Sequence, residues 1–405
     1  MSESRTVVNI GQNYHVTGGS DQYMLSLAEL LEANGHQVIP FAAANARNLP
    51  TPWSRYFPPS VNFARPGPVD VMRFVYSRPA AAAMRRLLRE VKVDLAHLHI
   101  YYGQLTGSIL QPLREAGVPT VQTLHEYKIV CPTSSLYAGG RICQQCDGRA
   151  FWHAAATRCN RGSLMRSALS ALETYVSHAL GAVDKISHFI AVSDFLRNKV
   201  IELGVPAQKI TRVHNFVDCS KYVASVEPGR HLLYFGRLER NKGVYTLLDA
   251  IEPLRDTRLI IAGVGSQQAG VAAEIERRGM HHVQMVGFQC GEALHRLVKE
   301  CICSVTPSEW FETFGLTLVE SFAQGRPVIA SAIGGMTEVV SDGSDGLLFP
   351  PGDVDALRGC LQWMWSHRNE AVVMGQHGRR KVEQQFSAQS HYDQMMEVYA
   401  KVEAC

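Results

Sequence analysis

Two glutamates in the last third of the chain have a spacing that suits the binding of a polyhydroxylated ligand. Glu312 and Glu320 are separated by seven residues in the stretch SEWFETFGLTLVESFA, residues 308–323. Residues 314–316 are predicted to open the helix that carries Glu320, and a helix N-terminus presents unpaired N–H groups and partial positive charge. A phosphate or a sugar ring could bind there, with the glutamates accepting hydrogen bonds from hydroxyl groups such as those of a ribose. Two solvated helix carboxylates are the alternative interpretation.

A basic turn follows a predicted strand at residues 231–236. Arg237 comes directly after this strand and Lys242 five residues later, in the sequence GRLERNKG. Arg offers a planar fork of donors and Lys a mobile point charge, a combination that suits a diphosphate leaving group. Two fixed cations could take the place of a divalent metal, so we expect catalysis without a metal cofactor. A solvated basic turn is the alternative.

The first half of the chain has candidate residues at predicted strand ends and at a helix start. Gly18 and Gly19 open the first predicted helix, where glycine permits close approach of an anionic group. His125 ends the predicted strand at 120–125 and His99 the one at 94–99. Functional side chains gather at the carboxyl ends of parallel strands, although a lone histidine is more often a structural residue.

Short apolar runs that alternate with amphipathic stretches must position these residues. The pattern predicts strands at 6–11, 36–43, 94–99, 120–125, 188–193 and 210–215, and it restarts after the polar connection at 217–230. Strands then follow at 231–236, 258–263, 283–287, 301–306, 327–331 and 346–350. This alternation predicts an α/β protein with two Rossmann-like, doubly wound domains that face each other across a cleft. We place the domains at 1–222 and 223–388, and expect a final helix at 389–405 to pack back on the first domain.

Composition excludes several classes of protein. Of the 405 residues, 46% are hydrophobic and 19% charged, which excludes a disordered chain. The net charge of +3 argues against a nucleic-acid binder, although residues 1–225 hold 23 Lys and Arg against 15 Asp and Glu. The sequence shows neither a long apolar run nor a secretory leader, so a cytoplasmic protein is predicted.

Four of the ten cysteines fall in one Gly- and Arg-rich segment at about 131–162. Cys131, Cys143, Cys146 and Cys159 have the spacing C-x11-C-x2-C-x12-C, which supplies enough thiolates for a tetrahedral zinc site. A loop of this length has little core of its own, and a structural zinc would order it. Reduced thiols or a single disulfide are equally compatible with the pattern, and an iron–sulfur cluster is a further alternative.

Residues 308–352 resemble the carboxyl-terminal signature of the retaining family 4 glycosyltransferases of the GT-B fold. The matching elements are the paired glutamates with Phe-Gly-Leu between them, QGRPVIA at 324–330, the glycines at 334–335, Glu338 and DGLL at 345–348. The resemblance extends over nearly the whole chain. It implies transfer of a sugar from a nucleotide diphosphate to a hydroxyl group, with retained anomeric configuration and no stable covalent intermediate.

The resemblance also implies roles for individual residues. The implied catalytic residues are His125, Arg237, Lys242 and Glu312. The implied donor-binding residues are Gly18, Gly19, Arg237, Lys242, Gly265, Phe288, Glu312, Thr313, Phe314, Gly315, Leu316 and Glu320. The implied acceptor-side residues are His99, Tyr101 and Glu126. Many relatives carry Glu at the position of Asp21.

The expected partners are a nucleotide-diphosphate sugar and a glycan, a lipid-linked molecule or a small molecule with an acceptor hydroxyl, with no nucleic acid. Six arginines of the first domain could rest on anionic lipid at the inner face of the membrane. They are Arg85, Arg86, Arg89, Arg158, Arg161 and Arg166. An ordinary solvated face is the alternative. Synthesis of cell-surface polysaccharide or glycoconjugate is the expected role; the alternatives are a GT-B-like nucleotide-sugar epimerase and a catalytically silent glycan- or nucleotide-binding protein.

Overall fold

The computed structural model describes residues 4–404, in which strands and helices alternate along most of the chain. The strands are β1 Thr6–Ile10, β2 Gln37–Phe41, β3 Leu95–Leu98, β4 Thr120–Leu124, β5 Tyr137–Ala138, β6 Arg141–Ile142, β7 His188–Ala191, β8 Ile210–Arg212, β9 His231–Phe235, β10 Leu259–Ala262, β11 Val283–Gly287, β12 Cys301–Thr306, β13 Val328–Ser331 and β14 Gly346–Phe349. The helices are α1 Gly19–Ala33, α2 Pro68–Val75, α3 Arg78–Glu90, α4 Leu110–Glu115, α5 His153–Ala156, α6 Leu164–Ala179, α7 Ala182–Lys185, α8 Asp194–Glu202, α9 Val244–Ile251, α10 Gln268–Arg277, α11 Gly291–Glu300, α12 Leu316–Ala323, α13 Met336–Val339, α14 Val354–Ser366, α15 Arg368–Gln385 and α16 Ala388–Glu403. Short 3₁₀ turns lie at Pro52–Tyr56, Gly107–Ile109, Ala207–Lys209, Cys219–Lys221 and Arg240–Lys242.

Two six-stranded parallel sheets form the framework. Their strand orders are β2-β1-β3-β4-β7-β8 and β11-β10-β9-β12-β13-β14. Every residue of β4 and of β9 is buried, as expected for parallel strands that helices cover on both faces. The predicted α/β fold with two doubly wound units is therefore confirmed, and the main strands differ from their predicted bounds by at most three residues at either end.

Each sheet has one point at which the strand order reverses direction. In the first sheet this point lies between β1 and β3, and in the second between β9 and β12. Loops that leave neighbouring strands in opposite directions open a crevice beyond the carboxyl ends of those strands, and ligands of such sheets bind there. Gly18 ends the loop after β1, Gly19 opens α1, and His99 follows β3. The loops after β9 and β12 contain Arg237, Lys242 and Glu312.

The last helix, α16, packs against the first sheet. Its Met395 and Tyr399 share a buried cluster with Val121 of β4 and Ile190 of β7. The Tyr399 hydroxyl lies 2.6 Å from Nδ1 of His97. The chain therefore crosses between the two sheets twice, once after β8 and again before α16.

The four-cysteine segment lies between β4 and α6 and has little regular structure. It contains the two-stranded hairpin β5–β6 and the single-turn helix α5, which packs against α6. None of the helices within residues 4–404 combines the length and the apolar character needed to span a bilayer.

Candidate active site

A buried ion pair joins the loops after β9 and β12. The Lys242 ammonium lies 2.6 Å from Oε1 of Glu312, which also accepts a hydrogen bond of 2.5 Å from the Ser308 hydroxyl. Glu312 is only 7% exposed. Burial opposes the charged form of Glu312, but the charge of Lys242 and the hydrogen bonds hold its pKa below the ordinary value. Lys242 also lies 5.1 Å from the centre of the Trp310 ring, so the cation is held in one place.

Two glycines let these loops approach closely enough to form the pair. Gly243 has a φ of 69°, and a Cβ atom there would lie 1.7 Å from the Pro307 carbonyl oxygen. Gly334 has a φ of 65°, and its Cβ would lie 2.3 Å from the carbonyl oxygen of Glu312. Any larger residue at either position would push the backbone of 307–312 away from Lys242.

Arg237 lies at the start of the loop after β9, which also holds Lys242. Its guanidinium is exposed and has no ion pair within 4 Å among residues 4–404. Burial raises the pKa of Glu126 in the first domain, while the charges of Lys128 and Arg237 act in the opposite direction. The charge of Arg237 therefore acts on Glu126 of the other domain, and the exposed guanidinium can meet an anionic ligand.

The segment that leads into α12 is one place where the second domain touches the first. The Thr313 hydroxyl donates to the carbonyl oxygen of His125 over 3.2 Å, and the Thr313 carbonyl accepts from the Ser193 hydroxyl over 2.6 Å. A Cβ atom on Gly19 would lie 2.9 Å from Cδ1 of Leu316. The N-terminus of α12 is thereby brought to the loop that opens α1, while the ring of Phe314 lies in the core.

Gly315 and Glu320 occupy the two ends of a surface that runs along α12. Gly315 precedes the first residue of the helix with a φ of 106°, and among the described residues 4–404 no side chain caps the free N–H groups there. Glu320 lies one turn from the helix end, near Tyr222. Burial raises the pKa of Glu320 to about 7. Its carboxylate is therefore poorly solvated and gains from a ligand that donates hydrogen bonds.

His125 and His99 have different environments, which corrects one expectation. His125 ends up at the floor of the cleft and is partly exposed. His99 is 2% exposed, and its Nδ1 lies 3.1 Å from Nε2 of His125. His99 therefore supports His125 from behind and does not reach an acceptor. Tyr101 is also misassigned to the acceptor side, because its ring is 1% exposed in the core and packs against Tyr102 at 4.3 Å.

The remaining donor-side glycine and phenylalanine lie on the turns after β10 and β11. A Cβ atom on Gly265 would lie 2.3 Å from the carbonyl oxygen of Leu238, so this turn packs directly on the loop that holds Arg237. Phe288 follows β11 and its ring is 59% exposed. Asp21, on α1, accepts a hydrogen bond of 2.9 Å from the backbone N–H of Thr17, and this bond closes the loop that contains Gly18.

The four cysteines predicted to bind zinc line one pocket beside the first domain. Burial raises the pKa of Cys146 to about 12, and the proximity of Cys131, Cys143 and Cys159 acts in the same direction. No group of three or more Cys, His, Asp or Glu in residues 4–404 has a geometry that would hold a metal ion. The structural zinc site stays a prediction.

The structure adds residues that the sequence patterns did not single out for a role. Glu338 accepts hydrogen bonds from the backbone N–H groups of Asp194 and Phe195, at 2.8 and 2.6 Å, and so caps α8 of the opposite domain. Ser308, four residues before Glu312, holds that carboxylate in place. The position of Ser308 in the same short stretch as Glu312 could have indicated its role. No local sequence pattern connects Glu338 to a helix 143 residues away.

The known proteins that the chain resembles are glycosyltransferases. The model for "Glycosyltransferase Family 4" matches residues 17–221, and the model for "Glycosyl transferases group 1" matches residues 221–381. The chain is 28% identical to the phosphatidyl-myo-inositol mannosyltransferase of Mycobacterium leprae, over 86% of this chain and 84% of that protein. It is 32% identical to the D-rhamnosyltransferase WbpZ of Pseudomonas aeruginosa, but this match spans only 39% of this chain and 42% of the relative.

A solved structure with the same fold is Alr3699/HepE of Anabaena in complex with UDP and glucose. It superposes with a TM-score of 0.71 and 18% identity, over 98% of this chain and all of that one. The likeness at this identity concerns the fold, which is GT-B. The two adjoining family matches together cover the chain from the first glycine-rich loop to α15, and the protein is therefore a member of glycosyltransferase family 4.

Proposed function

We propose that the protein is a retaining glycosyltransferase that moves a sugar from a nucleotide diphosphate to a hydroxyl acceptor in the synthesis of a glycan or glycoconjugate. The observation that carries this proposal is the convergence of Arg237, the Lys242–Glu312 pair and the N-terminus of α12 on one point of the cleft, opposite His125. These groups offer positive charge for a diphosphate and hydrogen-bond acceptors for sugar hydroxyls.

In the proposed reaction the bond between the anomeric carbon and the diphosphate oxygen breaks, and the acceptor oxygen forms its bond to the same face of the sugar. The acceptor proton passes to the departing diphosphate oxygen. Arg237, Lys242 and the helix start stabilise the negative charge that develops on the diphosphate, and Glu312 positions the sugar. Because two cations already face this charge, we propose that the step needs no divalent metal.

Acceptor-dependent release of the free nucleotide tests this function. A thermal-shift screen against UDP-, GDP- and ADP-sugars first identifies the donor, since a bound nucleotide raises the melting temperature by mass action. A transferase then releases nucleotide only when an acceptor is present, and the product keeps the anomeric configuration of the donor. An epimerase would alter the sugar without an acceptor, and a silent binding protein would shift the melting temperature without any turnover.

We further propose that the acceptor is presented at an anionic membrane surface. The helices α2 and α6, with the segment just before α2, expose apolar residues on the first domain. These residues and the nearby arginines are called here the apolar–basic surface. Its exposed apolar members are Phe63, Val69, Met72, Leu164, Met165 and Leu172, and its arginines are Arg65, Arg158, Arg161 and Arg166.

Three features of the apolar–basic surface support a lipid partner. Met72 and Met165 are 64% and 81% exposed, although α2 and α6 pack against each other. The helix α2 has no buried residue at all. The opposite face of α6 contributes Glu173 and Thr174 to a pocket beside Lys128 inside the first domain, so the helix is anchored on its inner side while its outer side stays exposed. Exposed apolar groups flanked by arginine suit the interface of an anionic bilayer.

The arginines of α3 contribute less to such a surface. Arg85 pairs with Glu115 at 3.3 Å, and Arg86 hydrogen-bonds to the carbonyl oxygen of Arg55.

Sedimentation with vesicles of phosphatidylcholine, with and without phosphatidylglycerol, tests the membrane proposal. Binding should require the anionic lipid and be lost in a Met72→Ser, Met165→Ser variant. A Val373→Ser variant, which removes an apolar residue that is 50% exposed on the second domain, should bind as the wild type does. Equal binding by all variants, or by none, would refute the proposal.

A further inference from the structure

His125 is the cleft end of a chain of hydrogen bonds that begins in the interior of the first domain. The side chain of Asn9 lies 2.9 Å from the carbonyl oxygen of Met24 through Nδ2, and 2.7 Å from Nε2 of His99 through Oδ1. Nδ1 of His99 lies 3.1 Å from Nε2 of His125, and the two rings are inclined by only 26°. We propose that Asn9 and His99 are positioning residues that keep His125 in the tautomer protonated at Nε2, so that Nδ1 faces the cleft as a hydrogen-bond acceptor.

The direction of each hydrogen bond follows from the first one. A carbonyl oxygen only accepts, so Asn9 must turn its Nδ2 toward Met24 and its Oδ1 toward His99. Oδ1 also only accepts, so the Nε2 of His99 must carry a proton. A neutral His99 then has a bare Nδ1, to which His125 can only donate from Nε2. The peptide carbonyl at position 24 thereby determines the protonation state of a ring at the floor of the cleft.

These hydrogen-bond directions hold when both rings are neutral, and burial keeps both rings neutral. Burial lowers the pKa of His99 well below its ordinary value, and the neighbouring His97 and His125 act in the same direction. Burial also lowers the pKa of His125 to about 3. Each ring therefore carries a single proton at neutral pH. Within residues 4–404 the ring of His125 forms no other hydrogen bond, which leaves Nδ1 for a ligand.

The bare Nδ1 of His125 restricts the chemistry of the ligand group that can bind to this ring. A neutral ring with a bare Nδ1 accepts a hydrogen bond from a hydroxyl group and cannot donate to a phosphate or carboxylate oxygen. The ligand at this position is therefore a sugar or acceptor hydroxyl and not the diphosphate. This last step rests on the proposed function, whereas the tautomer itself does not.

Nitrogen-15 NMR of the histidine rings in the free protein tests the tautomer without any substrate. The His125 signals are identified by their disappearance in a His125→Gln variant. The wild type should show a proton on Nε2 and a bare Nδ1. An Asn9→Leu variant keeps the size of the side chain but offers His99 no acceptor, so His125 should then show a mixture of tautomers. A wild-type proton on Nδ1, or an unchanged tautomer in Asn9→Leu, would overturn the inference.

Turnover provides the second measurement, with a matched control close to the same rings. Tyr399→Phe removes a buried hydroxyl that bonds His97, whose ring stacks on His99 at 4.6 Å but lies outside the chain of hydrogen bonds. Tyr399→Phe loses this one buried hydrogen bond, whereas Asn9→Leu loses two, of which only the bond to His99 belongs to the path that leads to His125. Only Asn9→Leu should lower kcat, by about tenfold, the effect of one lost hydrogen bond. Equal kcat in the two variants would overturn the positioning role. A wild type that transfers no sugar but shows the Nε2 proton would refute the proposed function and support the tautomer.

Discussion

Replacement of Lys242 by methionine separates the catalytic effect of the cation from its effect on folding. Methionine keeps the length of the side chain but removes the charge that lies 2.6 Å from Glu312. Loss of one preorganised group that stabilises transition-state charge lowers kcat by about a hundred- to a thousandfold. Glu312 is only 7% exposed, so the same change leaves a buried negative charge without its partner. The unpaired charge should lower the free energy of unfolding by about 3 kcal/mol.

The double variant Lys242→Met, Glu312→Gln tests the structural half of this prediction. With no buried charge left unpaired, it should recover most of the lost stability while staying catalytically inactive. The assays are acceptor-dependent nucleotide release and unfolding in guanidinium chloride.

Lys381→Met serves as the matched control for this experiment. Lys381 forms an ion pair with the buried Asp345 elsewhere in the second domain. Its removal should lower stability by a comparable amount and leave kcat within about twofold of the wild type, since this pair does not face the cleft. A folded Lys242→Met enzyme with kcat within tenfold of the wild type would refute the assigned role of the cation. A double variant no more stable than the single one would refute the account of the pair.

Three further predictions follow from other parts of the structure. Burial lowers the pKa of His97 to about 3 and of His391 to about 4. Below pH 6.5 the unfolded chain therefore binds protons at these rings that the folded protein does not bind. Unfolding in guanidinium chloride should show a free energy of unfolding that falls between pH 6.5 and 4, by up to about 1.4 kcal/mol per pH unit for each ring. Because burial raises the pKa of Glu320 to about 7, the KM for the donor should rise about tenfold from pH 8 to pH 6, and a Glu320→Gln enzyme should show no such dependence. Elemental analysis of protein purified without oxygen should find one zinc per chain that is lost in a Cys143→Ser, Cys146→Ser variant, and a wild type without zinc would refute the structural metal site.

Local sequence patterns predicted the architecture well because each element has its own signal. The strand β12, Cys301–Thr306, has its predicted bounds, and the start of α12 follows Gly315 as expected. The clustering of Arg237, Lys242 and Glu312 could also be anticipated, because they follow strands whose carboxyl ends meet at one edge of a sheet.

The orientation of individual side chains could not be read from those patterns. His99 and His125 each come directly after a strand, yet only His125 is partly exposed, because His99 is buried and hydrogen-bonds to Asn9 in the interior. Tyr101 follows β3 closely in sequence but turns into the core against Tyr102. Such outcomes depend on contacts between residues far apart in the chain, and no motif describes them.

The two crossings of the chain between the sheets lie side by side, and this determines how the protein can be recombined with relatives. The backbone N–H of Val217 donates to the carbonyl oxygen of Phe386 over 3.0 Å. The segment that leaves the first domain is thus hydrogen-bonded to the segment that returns to it. A chimera that exchanged everything after residue 222 would replace α16 with a foreign helix and strip the first sheet of Met395 and Tyr399. Transplantation of donor specificity therefore calls for two junctions, near 222 and 387, with residues 388–404 kept from the same parent as the first domain.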